Sequence, residues 1–270
     1  DNAWKRRLIL DCRISGANSD TYKFERIILP KIWDVVRGAL ILGGQATQGH
    51  DVTFLVCDFV DAFFKMPLLP TERKFFATAL GEDIFIWTRI GQGSLNGPTV
   101  FGRLSAMVGR FSQSLFDLSE ARVQIYTDDP ITTIYATPER TKRIVATLIM
   151  SWLVLGFSMA FHKAQLNPKV DWIGYSVSSH DGAVEAEVKN GFMKDMAATT
   201  GELLKHNYIG LKALRSYTGR ANHVANLLFS RRPFLDGLWA AITTAEQSHP
   251  TDSSCSRRRG SRAPHRMIWT

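Results

Sequence analysis

Apolar residues recur at steps of three and four along some stretches of this chain and stand in short unbroken runs along others. Over residues 99–115, Phe101, Leu104, Val108, Phe111 and Leu115 form one stripe of a helix, with Arg103 and Arg110 elsewhere on its circumference. Pro98 suits the first turn of that helix, and Asn96 stands where a cap belongs. Residues 144–161 carry no charge, but Thr137-Pro138-Glu139 just upstream reads as a helix start, with Thr as cap, Pro at the first helical position and an acid in the first turn. Gly156 supplies the stop. A capped helix over 138–155, basic at Arg140, Lys142 and Arg143, reads as a buried amphipathic helix and not as a membrane span.

The strand-like runs are shorter. Residues 7–11 and 172–177 are rich in β-formers, and 53–57 (Thr-Phe-Leu-Val-Cys) is an apolar run of the buried-strand kind. Residues 123–126 and 131–135 are two β-rich runs separated by Thr-Asp-Asp-Pro, a hairpin signal because Asp and Pro favour tight turns. Helices are expected over 34–42 and, beyond residue 185, over 192–205, 211–229 and 233–247. The pattern predicts an α+β chain that turns all-helical near residue 185. There is no internal repeat, and no biased segment before the Ser/Arg-rich stretch at 253–262.

Composition changes this picture little. With 45% hydrophobic and 21% charged residues over 270 positions, the chain has the make-up of one large or two smaller globular domains. Its net charge is +8, and five Arg against one Asp in the last twenty residues hold half of that excess. A basic balance suits a polyanionic partner without requiring one, and the tail alone reads as a solvated linker. Cys12, Cys57 and Cys255 form no CxxC pair, which argues against a zinc knuckle or a disulfide framework and fits a reducing, intracellular compartment. The polar and basic opening residues carry no signal-peptide pattern.

The acids carry the chemistry. Asp58 directly follows an apolar strand, and Asp128 and Asp129 sit together in the expected hairpin turn. Taken singly, Asp-Asp-Pro is an ordinary turn former, and Asp58 suits a helix cap as well as a metal site. Brought together, three carboxylates cannot all stay ionised without a cation. Hard oxygen ligands of this type suit Mg²⁺, and a pair of such ions about 3.5–4 Å apart serves in-line displacement at phosphorus.

In company these segments resemble the reverse transcriptases of retroviruses and retrotransposons, in the right order over residues 5–177 and more loosely to 245. Lys5-Arg6-Arg7-Leu8-Ile9-Leu10-Asp11-Cys12-Arg13 is similar to the fingers segment, which makes Arg7 the arginine for the incoming triphosphate. Asp58-Phe59-Val60-Asp61-Ala62-Phe63-Phe64 looks like the first catalytic motif, with Asp58 on both metals and Phe63 beneath the sugar, where a ring would collide with a ribose 2′-OH. Gly91-Gln92-Gly93-Ser94-Leu95-Asn96-Gly97-Pro98 resembles the loop under the nascent base pair, with Gln92 and Gly93 against the nucleotide. Tyr126-Thr127-Asp128-Asp129 is the YxDD box, in which Tyr126 meets the primer terminus. Leu155-Gly156-Phe157 with Lys163-Ala164-Gln165 resembles the next motif, whose lysine protonates the pyrophosphate leaving group, and Trp172, Gly174 and Tyr175 match the primer-grip hairpin.

The resemblance implies a right-hand polymerase: partial fingers over 1–50, a palm over 51–185, a helical thumb or connection over 186–248 and a basic tail over 249–270. It implies an RNA-directed DNA polymerase with two Mg²⁺ ions (or Mn²⁺) on Asp58, Asp128 and Asp129, acting on dNTPs and a primed RNA or DNA template. A ribonuclease H domain would be adjacent in the full polyprotein, and no membrane is involved. Thr127 and Pro130 depart from the commoner residues of the box, and Gly97 stands where many relatives have Ser, yet no metal ligand is lost. Two alternatives remain at this level. One is a non-catalytic, nucleic-acid-binding remnant, against which the intact aspartate set speaks. The other is an RNA polymerase copying RNA, which would have to admit the 2′-OH that Phe63 excludes.

Overall fold

The structure is a computed structural model that describes residues 9–10, 12, 16–22 and 25–248. By their internal contacts the described residues divide into two compact units, one up to Glu185 and one from Ala186 on. The first holds α1 (Ile32–Gly43), β1 (Asp51–Val56), β2 (Ala77–Leu80), β3 (Asp83–Ile86), α2 (Gly97–Ser114), β4 (Ala121–Tyr126), β5 (Asp129–Ala136), α3 (Pro138–Val154), β6 (Gln165–Asn167), β7 (Lys169–Trp172) and β8 (Tyr175–His180). The last strand, β9 (Ala183–Val188), follows β7 and β8 in a three-stranded sheet. This is a mixed fold of helices and antiparallel sheet.

The central sheet has the order β4-β5-β1-β6. Strand alternation sorts its side chains onto two faces. Leu55 and Cys57 of the β1 run, Ala121 and Ile125 of β4, and Ile134 and Ala136 of β5 face one core, filled by Phe101 and Val108 of α2 and by Ile144, Leu148 and Trp152 of α3. Residues of opposite parity face α1: Arg122 lies against Gly38, and Val52 against Gly43. Trp152 is fully buried, and its Nε1 donates to Ser112 Oγ at 2.8 Å, so α2 and α3 share a satisfied polar contact inside the core. Truncating Trp152 to Ala would cost about 3–5 kcal/mol.

Helix α3 begins as its sequence dictates, with Thr137 Oγ1 accepting from the Arg140 N–H at 3.4 Å and Gly156 taking φ +84° beyond its end. Helix α2 departs from expectation. Asn96 precedes it but makes no side-chain cap: its backbone is already helical (φ −89°, ψ −9°) rather than extended, and its Nδ2 donates to the Tyr22 carbonyl at 3.4 Å. Phe101 and Val108 of the predicted stripe are buried, whereas Phe111 and Leu115 are partly exposed, and in the last turn it is Ser112 that enters the core. The expected single strand over 172–177 is instead β7 and β8 joined by a tight turn at Ile173 (φ +41°) and Gly174 (φ +87°). The expected strand over 7–11 falls mostly outside the described residues.

Strand β4 is the outer strand of its sheet, and α2 closes part of its free side. Gln113 Nε2 donates to the Ala121 carbonyl at 2.9 Å, and its Oε1 accepts from the Val123 N–H at 2.8 Å. Strands β2 and β3 are not legible as strands in the sequence. Among the described residues they pair only with each other, and their stem continues through the Leu68 N–H to Thr88 carbonyl (2.9 Å) and Ile90 N–H to Met66 carbonyl (2.9 Å) bonds.

Beyond the end of β9, the second unit is helical over its described part, with α4 (Asn190–Leu203), α5 (Leu211–Leu227) and α6 (Asp236–Ser248). Pro233 lies in a 3-10 turn over Phe229–Leu235 rather than opening α6. Arg215 on α5 pairs with Glu246 on α6, and Arg220 with Asp195 on α4. The predicted basic tail at 249–270 lies outside the described residues. No described helix is long and apolar enough to cross a membrane.

Candidate active site

The run that ends in Asp58 is held on both sides. On one side β1 pairs with β5 from Asp51↔Ala136 to Val56↔Ile131, and the pairing continues past the strand end: the Cys57 N–H donates to the Pro130 carbonyl at 3.1 Å and the Phe59 N–H to the Asp128 carbonyl at 3.0 Å. Asp58 is therefore brought beside Asp128 and Asp129 by main-chain register and not by side-chain packing alone. Pro130, which has no N–H to give, offers its carbonyl to this junction. On the other side, the Val60 N–H donates to the Ser158 carbonyl (2.8 Å) and the Ala160 N–H to the Asp58 carbonyl (2.9 Å), before β6 resumes pairing with β1 at Val56↔Gln165. Residues 161–163 bulge out between these two paired stretches as a 3-10 turn, which delivers Lys163 Nζ to Asp58 Oδ2 as an ion pair.

Phe59 fixes the neighbourhood from below. Its ring meets Trp152 edge-on at 5.4 Å and Phe157 at 4.7 Å. The hairpin above is tight. Tyr126 pairs with Asp129, so only Thr127 and Asp128 form the loop, and Thr127 holds φ +57°. A β-branched residue in that region is strained, by roughly 1–2 kcal/mol.

Asp129 senses the other two carboxylates. Asp129 is pushed up to about 6, first by burial, then by the negative charges of Asp128 and Asp58, with Lys163 acting in the opposite direction. A mutually repelling set of hard oxygens is the chemistry that a divalent cation relieves, and in that sense the donors fit Mg²⁺. Among the described residues no three acidic, His or Cys side chains stand close enough together to hold an ion as they are, and Asp58 is engaged by Lys163. The thiol of Cys57, next to Asp58, is pushed up to about 11 by burial and is an inert core group.

The other predicted positions fall as follows. Phe63 sits on a 3-10 turn over Ala62–Lys65 that starts after Asp61 at φ +50°, and its ring stacks on Phe101 of α2 at 4.7 Å. Gln92 and Gly93 lie in the loop before α2, where the Leu10 N–H donates to the Gln92 carbonyl at 2.9 Å. A Cβ on Gly93, which has φ +115°, would stand 2.0 Å from the Leu10 carbonyl oxygen, so only glycine fits. Tyr126 meets Trp172 edge-on at 6.2 Å, and Trp172 Nε1 donates to the Asp129 carbonyl at 3.0 Å. The β7–β8 turn is thus bonded directly to the hairpin that carries the aspartates. Tyr175 at the start of β8 is buried and pushed up to about 12 by that burial and then by Tyr126. Arg7 lies outside the described residues. Sequence reasoning missed the Trp172 to Asp129 bond and the clasp of Asn18 on the glycine loop, described below, because neither leaves a spacing signal.

Residues 9–177 match the family model described as reverse transcriptase (RNA-dependent DNA polymerase). Over 143 residues the chain is 32% identical to the Gag-Pol polyprotein of avian reticuloendotheliosis virus, covering 49% of this chain and 12% of the polyprotein. Its fold is similar to that of the foamy viral protease-reverse transcriptase in complex with double-stranded DNA, with a TM-score of 0.59 at 19% identity over 90% of this chain and 38% of that one. The same viral protein in complex with an RNA/DNA hybrid matches at a TM-score of 0.57 and 18% identity, over 87% of this chain and 28% of that one. The chain spans well under half the length of these relatives. The family match takes in both carboxylate-bearing segments and the hairpin bonded to them, over more than half of the chain, and the chain therefore belongs to the reverse transcriptase (RNA-dependent DNA polymerase) family.

Proposed function

We propose that this chain is the polymerase core of an RNA-directed DNA polymerase, which adds dNTPs to a primer 3′ end on an RNA or DNA template. The observation that carries the reading is the main-chain junction between the Asp58 run and the Asp128–Asp129 hairpin, with β7–β8 tied to the same hairpin through Trp172. Asp58, Asp128 and Asp129 would hold two Mg²⁺ ions, or Mn²⁺, which when bound activate the attacking 3′-hydroxyl and steady the charge on the phosphates. Phe63, backed by Phe101, would press on the sugar and reject a 2′-OH. Gln92 and Gly93 would meet the nucleotide, Tyr126 the primer terminus, and Trp172, Gly174 and Tyr175 the primer strand behind it. Lys163, already beside Asp58, would give a proton to the pyrophosphate leaving group. Arg7 completes the reading as the triphosphate arginine.

The relatives are polyprotein or multidomain proteins, and by the same reading this core works inside the cell next to a ribonuclease H domain. Primer extension on an RNA template with dNTPs and Mg²⁺, run beside Asp128→Asn, tests the proposal. Extension by the unaltered chain alone supports it. Extension by the variant too would remove the aspartate from the reaction, and extension by neither would favour a non-catalytic, nucleic-acid-binding remnant.

A further inference from the structure

The loop that carries Gln92 and Gly93 is held by a residue the family motifs do not include. Residues 16–22 fold into a compact turn, closed by the Ser19 N–H to Gly16 carbonyl bond (3.0 Å) and the Thr21 hydroxyl to Ala17 carbonyl bond (2.6 Å). From this turn Asn18 reaches across to the loop with both ends of its amide. Its Nδ2 donates to the Gly93 carbonyl at 3.0 Å, and its Oδ1 accepts from the Leu95 N–H at 2.8 Å. The Asn18 N–H is itself held by the Cys12 carbonyl at 2.9 Å.

Two bonds from one planar amide to a carbonyl and an N–H two residues apart copy the pairing a neighbouring strand would offer. They fix the rotation of the Gly93 and Leu95 peptides. A glycine at φ +115° needs such a restraint, because it samples both halves of backbone space freely. The Leu10 N–H to Gln92 carbonyl bond and the Asn96 Nδ2 to Tyr22 carbonyl bond pin the loop on either side of the clasp. Between these two pins, Asn18 is what ties the peptides to the turn.

We infer that Asn18 is a positioning residue for nucleotide binding: its side-chain amide sets the backbone of the Gln92–Leu95 loop so that the incoming dNTP meets a preformed surface. Asn18 does not touch the nucleotide itself. The functional half of this inference rests on the polymerase reading above, whereas the structural half stands on the hydrogen bonds alone.

Hydrogen–deuterium exchange on the full chain, resolved to residues 91–97, and steady-state primer extension test the two halves separately. Asn18→Ala should speed exchange at the Leu95 amide roughly tenfold or more, with protection of α1 and α3 kept as the control for folding. It should raise the KM for dNTP about tenfold, the effect expected from one or two lost hydrogen bonds, and leave kcat within about twofold. Asn18→Asp, of the same size, still accepts from Leu95 but cannot donate to the Gly93 carbonyl. It should keep Leu95 protected and yet raise KM. Unchanged exchange at Leu95 in Asn18→Ala overturns the clasp. Faster exchange with KM unmoved, or with kcat lost in step, overturns the positioning role. No extension by the unaltered chain counts against the polymerase reading, and Leu95 exchange still decides whether Asn18 holds the loop.

Discussion

Two hairpins of this protein share a plan and differ in what fills it. In β2–β3 the strands close at Leu80↔Asp83 over a two-residue loop, and in β4–β5 they close at Tyr126↔Asp129 over another. In both, the first loop residue has positive φ: Gly81 at +65° and Thr127 at +57°. Glycine is the unstrained choice there, and β2–β3 uses it. Among the described residues that hairpin is paired to no third strand, and Leu80 and Ile84 are 71% and 74% exposed. The β4–β5 hairpin carries threonine in the same conformation and offsets the strain with packing on every side: β1 beside β5, the Phe59 to Asp128 bond beneath, and the Trp172 to Asp129 bond behind. Strain at the turn is tolerated where the surroundings over-determine it, and here that place is the one that presents two carboxylates.

If the β4–β5 turn is built for chemistry, the largest effect falls at Asp128. Asp128→Asn should lower primer extension by on the order of 10³-fold or more while moving the melting temperature by no more than about 2 °C, because the side chain serves chemistry and not packing. A large drop in melting temperature would make it a structural residue.

Phe63→Ala comes next. Loss of the ring stacked on Phe101 should raise ribonucleotide incorporation roughly tenfold or more and cost about 1–3 kcal/mol of stability, read from competition between dNTP and rNTP and from denaturant unfolding. Unchanged sugar selection would leave Phe63 as a core aromatic only.

Exchanging the loop residues probes the two turns directly. Thr127→Gly should stabilise the protein by about 0.5–1 kcal/mol, since relief of roughly 1–2 kcal/mol of backbone strain exceeds the added chain entropy of glycine. Gly81→Thr should cost about 1–2 kcal/mol, felt as faster amide exchange within β2–β3 more than as a lower melting temperature. Equal and opposite effects on global stability would mean that the two hairpins are equally integrated.

The smallest effect concerns pH. The Asp129 carboxyl is held at about 6 in the folded chain, above its ordinary value of 3.8. The folded state thus binds this proton more tightly than the unfolded chain, and stability falls as pH rises from about 4 and levels off above about 6. In chelator-treated protein Asp129→Asn should match the unaltered chain near pH 4 and melt roughly 2 °C higher at pH 8, after allowance for solvent screening. An equal shift at both pH values would trace to packing instead.

Much of the fold is legible in the order of the residues. Helix α3 announces itself through Thr137-Pro138-Glu139 because capping is local chemistry, and the pairing of β4 with β5 follows from β-rich runs flanking two aspartates. The turn itself is shorter than Thr127-Asp128-Asp129-Pro130, because Asp129 and Pro130 join the ladder. The family resemblance supplies the order of the motifs, which periodicity alone could not. What escapes is non-local. Asn96 looks like a cap and is claimed by Tyr22, 74 positions away, and Asn18 acts on a loop 75 positions away. β2 and β3 pack against no core, so no buried face leaves an alternation to read.

The amide of Gln113 along β4 has a bearing on self-association. An exposed strand edge invites another chain to add itself as the next strand, the first step of edge-to-edge aggregation. Here a glutamine from α2 answers the Ala121 carbonyl and the Val123 N–H in place of that strand, so the groups a recruit would pair with are already taken. Copies of this chain crowded together could extend the central sheet along that stretch only after α2 gave up its hold.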